Sequence, residues 1–115
     1  MGKENMNDLI KYCNKIITIE DLTKSVGPGW KKLIIDLCQL CIKHDVTVLD
    51  VKEKYGQLRF YVGWAPDELH NAIEAAEKES LTICEACGAR GKLRNSHGWL
   101  LTLCGKCYNK HEENR

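Results

Sequence analysis

Two Cys-x-x-Cys pairs near the C-terminal end constrain this chain more than any other feature. They read Cys84-Glu85-Ala86-Cys87 and Cys104-Gly105-Lys106-Cys107, with 16 residues between them. A Cys-x-x-Cys turn aims two thiolates at one point, and two such turns complete a tetrahedron of sulfurs. Gly88 follows the first pair, where a tight knuckle favours a residue tolerant of positive φ. The spacing predicts a zinc ion held by Cys84, Cys87, Cys104 and Cys107. Four thiolates fill the coordination sphere, so the ion is expected to be structural rather than catalytic. Two disulfides or a redox dithiol are the competing assignments. A redox dithiol needs one pair only, and an odd total of seven cysteines fits a reducing compartment better than a disulfide framework.

A chain of 115 residues suggests one domain with a small appended module. The cysteine-bearing part is too short to build a core alone, and a metal compensates for that. Hydrophobic residues make up 43% and charged residues 29%, which excludes a disordered chain. Formal net charge is +1. A tetrathiolate zinc site lowers it to about −1, which argues against a general DNA-binding protein. No apolar run reaches the length of a membrane span. Met1 to Lys15 lacks the apolar stretch of a secretory signal, and Met6 stands where a myristoylation motif requires Ser or Thr. A soluble, cytoplasmic protein is expected.

Along the chain, Asn7 is positioned to cap a helix carrying Leu9, Ile10, Cys13, Ile16 and Ile17 on one face. Residues 18–25 form a connector with no clear pattern. Gly27-Pro28-Gly29 then breaks the chain ahead of a second helix. Its apolar stripe is Trp30, Leu33, Ile34, Leu37, Cys38, Cys41 and Ile42, and it should stop near His44 or Asp45. The Gly-Pro-Gly turn lacks the spacing of a dinucleotide or phosphate loop, so Trp30 is expected to anchor the core there. Cys38 and Cys41 share the apolar face and read as packed small hydrophobes, with His44 pointing about 120° away from Cys38.

Residues 46–62 read as a β-hairpin turning at Gly56. Leu49, Val51, Leu58, Phe60 and Val62 are assigned to its core face, and Lys52, Lys54, Arg59 and Tyr61 to the opposite face. Pro66 opens a third helix at its first position, with Leu69, Ile73 and Ala76 buried and an end near Ser80. His70 reads as a surface residue. Between the cysteine pairs, 92–94 and 99–103 read as short strands around a 95–98 turn, and 108–113 as a closing helix. Knuckle, hairpin and knuckle-into-helix is a treble-clef order, with a zinc ribbon as the alternative. The expected fold class is therefore α+β. Residues 1–80 form a domain of helix, helix, β-hairpin and helix, and 81–115 a four-cysteine zinc-finger module.

Several stretches resemble one family. They are Gly29-Trp30 before a helix, the run from Lys52 to Tyr61 (KEKYGQLRFY), Ala76-Glu77 with Ser80, Cys84 to Gly88, and Gly98-Trp99 with the run from Thr102 to Cys107. Together they are similar to a family of small phage and prophage proteins that typically carry K-E-K-F-G-x-L-R-F-Y and end in a four-cysteine finger. Tyr55 stands at the usual Phe. The resemblance covers about residues 27–107. It implies a mobile-element origin and supports the zinc site, and it supplies no catalytic residue.

The leading functional expectation is a non-catalytic binding protein for a host protein, in a regulatory or counter-defence role. Its candidate partner- or anion-binding residues are Lys52, Lys54, Arg59, Tyr61 and Arg94. A nucleic-acid reading uses the same cations with Arg90, Lys92 and Lys106, and stacking on Tyr61 or Trp99. A small anionic, nucleotide-like ligand on the cationic face or at the Gly-Pro-Gly turn is the third. Catalysis is not expected. His97 and Asn95 suggest a nuclease, yet no paired carboxylate stands near His97, and His111 lies beyond the second knuckle.

Overall fold

The structure, a computed structural model, describes residues 8–114. The expected cap at Asn7 lies outside them. The elements are β1 (Leu9–Tyr12), β2 (Lys15–Thr18), α1 (Ile19–Thr23), α2 (Lys31–His44), β3 (Val48–Lys54), β4 (Gln57–Val62), α3 (Asp67–Glu79), β5 (Lys92–Ser96), β6 (Trp99–Leu103) and α4 (Gly105–Glu113). The fold is mixed α+β. Strands β2-β1-β3-β4 form one sheet and β5-β6 a second. Among the described residues, no helix is long and apolar enough to cross a membrane.

The expected first helix is instead a β-hairpin. Ile10 pairs with Ile17 and Tyr12 with Lys15, and Cys13 turns the chain with φ of 55°. The reason is a degeneracy of spacing. In a tight hairpin of two four-residue strands, the cross-strand pair Ile10 and Ile17 is seven residues apart, the same interval as two helical turns. The β-branched run Ile16-Ile17-Thr18 favours the strand. Ile10 is buried, while Leu9 and Ile16 stand exposed on the other face. The connector after it contains α1, capped by the Thr18 hydroxyl, which accepts from the Asp21 N–H at 3.1 Å.

Helix α2 begins after a 3-10 turn at Pro28–Trp30 and ends where Asp45 takes a left-handed conformation. Its buried residues are Leu33, Ile34, Ile35, Leu37, Cys38 and Cys41. They pack with Ile10, Val48, Val51, Leu58 and Phe60 from the sheet and Leu69, Ile73 and Ala76 from α3 in a single core. Trp30, fully buried, donates its indole N–H to the Ile83 carbonyl at 2.8 Å. His44 lies 3.2 Å from the Glu68 carboxylate. Pro66 sits at the cap position of α3, one residue ahead of the expected first turn position.

Leu49 does not share the core face as expected. A register shift between Val48 and Asp50 lets Val48 and Val51 both point inward and leaves Leu49 exposed. Strand β4 is an edge strand, but its amides are not left open. Leu58 N–H donates to the Ser80 hydroxyl at 3.0 Å, and Phe60 N–H donates to the Glu77 carboxylate at 2.9 Å. Side chains at the end of α3 thus take the place of a fifth strand and block edge pairing.

Candidate metal centre

The middle of the KEKYGQLRFY stretch reaches toward the cysteine module. Tyr55 and Gly56, with φ of 55° and 80°, form the β3–β4 turn. The Gly56 carbonyl accepts from the buried Thr102 hydroxyl at 2.6 Å. A Cβ on Gly56 would sit 2.5 Å from Leu93 Cδ1. The Gly-Pro-Gly turn reaches the same module from the other side. Gly29 N–H donates to the Glu85 carbonyl at 2.8 Å. That amide is committed to the first knuckle rather than turned out to an anion. Glu85 is paired twice with Thr102: its N–H donates to the Thr102 carbonyl, and its carboxylate accepts the Thr102 N–H, both at 2.9 Å.

Each cysteine pair is held by a different local device. The Cys84–Gly88 knuckle closes through Gly88 N–H to the Cys84 carbonyl at 2.9 Å and Cys84 N–H to the Ala89 carbonyl at 2.7 Å. Gly88 has φ of 86°, as the knuckle requires. Cys104 is the N-cap of α4, and its sulfur accepts the Cys107 N–H at 3.4 Å. The hairpin β5–β6, turning at His97-Gly98, carries the chain between the two pairs.

The four sulfurs of Cys84, Cys87, Cys104 and Cys107 all lie within 4.8 Å of one another and can hold a metal ion. Cys87 and Cys104 sulfurs are 3.7 Å apart. A disulfide requires about 2.05 Å. A tetrahedral ion with metal–sulfur bonds of about 2.3 Å requires sulfurs about 3.8 Å apart, which this spacing matches. Cys84 is fully buried and Cys87 exposed, so the site has a dry inner side and a wet outer one. Burial works to raise the Cys84 thiol, but N–H groups of Cys104, Cys87 and Ala86 bring it down to about 7. The Cys107 N–H lowers Cys104, whereas hydrogen bonds with the other three thiols hold Cys107 up at about 12. The metal-free cluster therefore retains protons that a cation must displace. A cleft of about 620 Å³ runs beside the site, with Pro28, Leu101, Leu103, Lys110 and His111 in its walls.

The remaining candidate residues separate. Lys52 and Arg59 are cross-strand neighbours, and Lys52 lies over the Tyr61 ring at 5.6 Å and 3.7 Å from Asp50. Lys54 lies over Tyr55 at 5.6 Å, at the hairpin tip. Arg59 is half-buried, with its Nε enclosed and without an acceptor. Arg94 does not join this face. It donates to the Leu103 carbonyl at 3.0 Å and lies 4.7 Å over Tyr108, which commits it to the cysteine module. Asn95 accepts from the Gly98 N–H at 2.7 Å and closes the β5–β6 turn. Cys38 and Cys41 are fully buried in the core, and Cys13 donates to the Leu49 carbonyl at 3.3 Å.

Sequence reasoning missed the docking set: Gly27, Gly29 and Gly91, which approach module backbone too closely to carry a Cβ without movement, and the Glu85–Thr102 pair. The available signal was the glycine spacing around Trp30, which a helix start alone does not require. Comparison of the chain with protein-family models, curated proteins and solved structures finds no match.

Proposed function

We propose that this chain is a non-catalytic zinc protein that works as an interaction module, with a host protein as its partner in a phage or prophage setting. The carrying observation is the convergence of four cysteine sulfurs on one point. Thiolate donors favour zinc over magnesium, calcium or manganese, and four of them leave no position for substrate or activated water. The order of first knuckle, hairpin and second knuckle at a helix N-terminus supports a treble-clef-like reading over a ribbon. A zinc at the four sulfurs would fix the C-terminal module internally, and the Gly29–Glu85 and Thr102–Gly56 hydrogen bonds hold that module against the Gly-Pro-Gly and β3–β4 turns. The result is a rigid surface with Lys52 and Lys54 exposed on one hairpin. Net charge near zero favours a protein partner over a nucleic-acid backbone.

The test uses the zinc-loaded chain as bait in host extract treated with nuclease. Lys52→Glu with Lys54→Glu is the partner-blind variant, because Arg59 is too enclosed to reverse safely. A host protein retained by the parent and lost from the variant, at unchanged zinc content and circular dichroism, is the expected result. Retention that disappears on nuclease treatment, or equal retention by both chains, contradicts the reading.

A further inference from the structure

The two hairpin tips lie side by side, and each is a two-residue turn with consecutive positive φ values: 55° and 80° at Tyr55-Gly56, 53° and 89° at His97-Gly98. Such turns favour Asn, Asp or Gly at their first position. A tyrosine there costs about 1–2 kcal/mol of backbone strain. Its ring recovers little by burial, since Tyr55 is 66% exposed. Trp99, the first residue after the second turn, is also 66% exposed. Neither turn chemistry nor core packing accounts for two large aromatics at these positions.

Together with Glu53, Lys54, Gly98 and Leu100, the two rings line a cleft of about 430 Å³. That volume falls in the usual range for ligand sites, about 300–1,000 Å³. Its polar groups are the Trp99 indole N–H and the Lys54 ammonium, which donate, the Tyr55 hydroxyl, which donates or accepts, and the Glu53 carboxylate. Neither aromatic side chain spends its polar atom on another described residue. The carboxylate in the lining, Glu53, accepts the Gly56 N–H at 2.6 Å. Donors set among apolar faces suit a ligand made of apolar rings and bare carbonyl acceptors. Proline-rich chain has that composition, because proline lacks an N–H and the polyproline II conformation makes no internal hydrogen bonds. Lys52, beside Asp50, and the half-buried Arg59 pair across the adjacent strands and leave the flank with a net positive charge.

We propose that the cleft between the hairpin tips docks a proline-rich, acidic segment of a partner protein. Its prolines pack on Tyr55 and Trp99, and its carboxylates lie toward Lys54 and Lys52. This rests on the interaction reading above and supplies the chemistry of the partner.

The probe is a synthetic Pro-Pro-Glu repeat peptide titrated into the full zinc-loaded chain, read by amide chemical shifts and by anisotropy of the labelled peptide. Shifts should centre on residues 53–55 and 98–100. Trp99→Ala should weaken binding about tenfold or more, as truncation of an aromatic anchor does. Trp64→Ala, at another exposed tryptophan, should leave it unchanged. Tyr55→Asn should lower affinity while keeping or raising thermal stability, because Asn suits the turn. A purely structural tyrosine would move stability alone. Absence of peptide binding, shifts elsewhere, equal binding of a Pro-Pro-Lys repeat, or displacement by single-stranded oligothymidine overturns the proposal. If the peptide fails while the charge-reversed variant still loses its host protein, the groove falls and the interaction reading stands.

Discussion

Gly29 and Cys84 belong to different parts of the fold, yet a Cβ on Gly29 would sit 1.9 Å from the Cys84 carbonyl oxygen. Backbone meets backbone here, so neither side can yield as a flexible side chain would. Gly29→Ala should cost at least about 2 kcal/mol, as overpacking of a rigid contact does. It should also weaken metal binding, because the displaced atoms belong to a ligand residue. Gly98→Ala is the control. Gly98 has φ of 89° and open space around it, so only the turn's conformational cost applies and metal affinity should hold. Urea titrations with and without chelator check both.

The edge of β4 gives a second expectation. Ser80 is fully buried and bridges the Leu58 N–H and the Glu77 carbonyl. Ser80→Ala leaves that amide unpaired in a dry place and should cost about 1–3 kcal/mol. Ser80→Cys, which keeps a weak acceptor in place of the hydroxyl, should recover part of the loss. Equal stability of Ser80→Ala and the parent in chemical denaturation would contradict the assignment.

Chelation should act on one part of the molecule. Without the ion, α4 and the β5–β6 hairpin lose the link that holds them, while β3, β4 and α2 keep their own core. Hydrogen exchange should therefore rise over 84–113 and change little in β3. Binding of the ion displaces thiol protons, about two to four per ion at pH 7, given that the Cys87 and Cys107 thiols are both raised. The bound form thus holds fewer protons than the free form. Metal-dependent stability should rise with pH and fall away on acidification. Calorimetry in buffers of different ionisation enthalpy measures the proton count.

Thiol reactivity separates the cysteines outside the cluster. Burial pushes the Cys41 thiol up to about 12, and burial with Cys41 alongside raises Cys38 as well. At pH 8 the thiolate fraction of a group at 12 is about one in ten thousand. Iodoacetamide should modify exposed Cys13 in the folded, metal-loaded chain and reach Cys38 and Cys41 only after unfolding. Mass spectrometry of the digests reports this directly.

The elements legible in the sequence were those with long, one-sided patterns. Helix α2 announced itself by its stripe and by the Gly-Pro-Gly breaker, and α3 by Leu69, Ile73 and Ala76. The cysteine spacing located the four-sulfur cluster, which can hold a metal ion, because coordination geometry is local and demanding. Residues 9–18 were misread because a hairpin of four-residue strands repeats its inward side chains at a helical interval. Leu49 was misplaced because a bulge shifts register without changing composition. The docking contacts were hidden for a different reason. Gly29, Gly56 and Thr102 act through backbone approach between segments far apart in sequence, and no periodicity encodes that. Glu77 and Ser80 looked like ordinary ends of a helix, yet their side chains complete the sheet.

The central claim is a closed tetrathiolate centre, and X-ray absorption at the zinc edge on the protein as purified tests it most directly. The account predicts one zinc per chain in a single shell of four sulfurs at about 2.3 Å. A shell containing nitrogen or oxygen ligands, or a metal-free chain with Cys84, Cys87, Cys104 and Cys107 paired as disulfides, would contradict it.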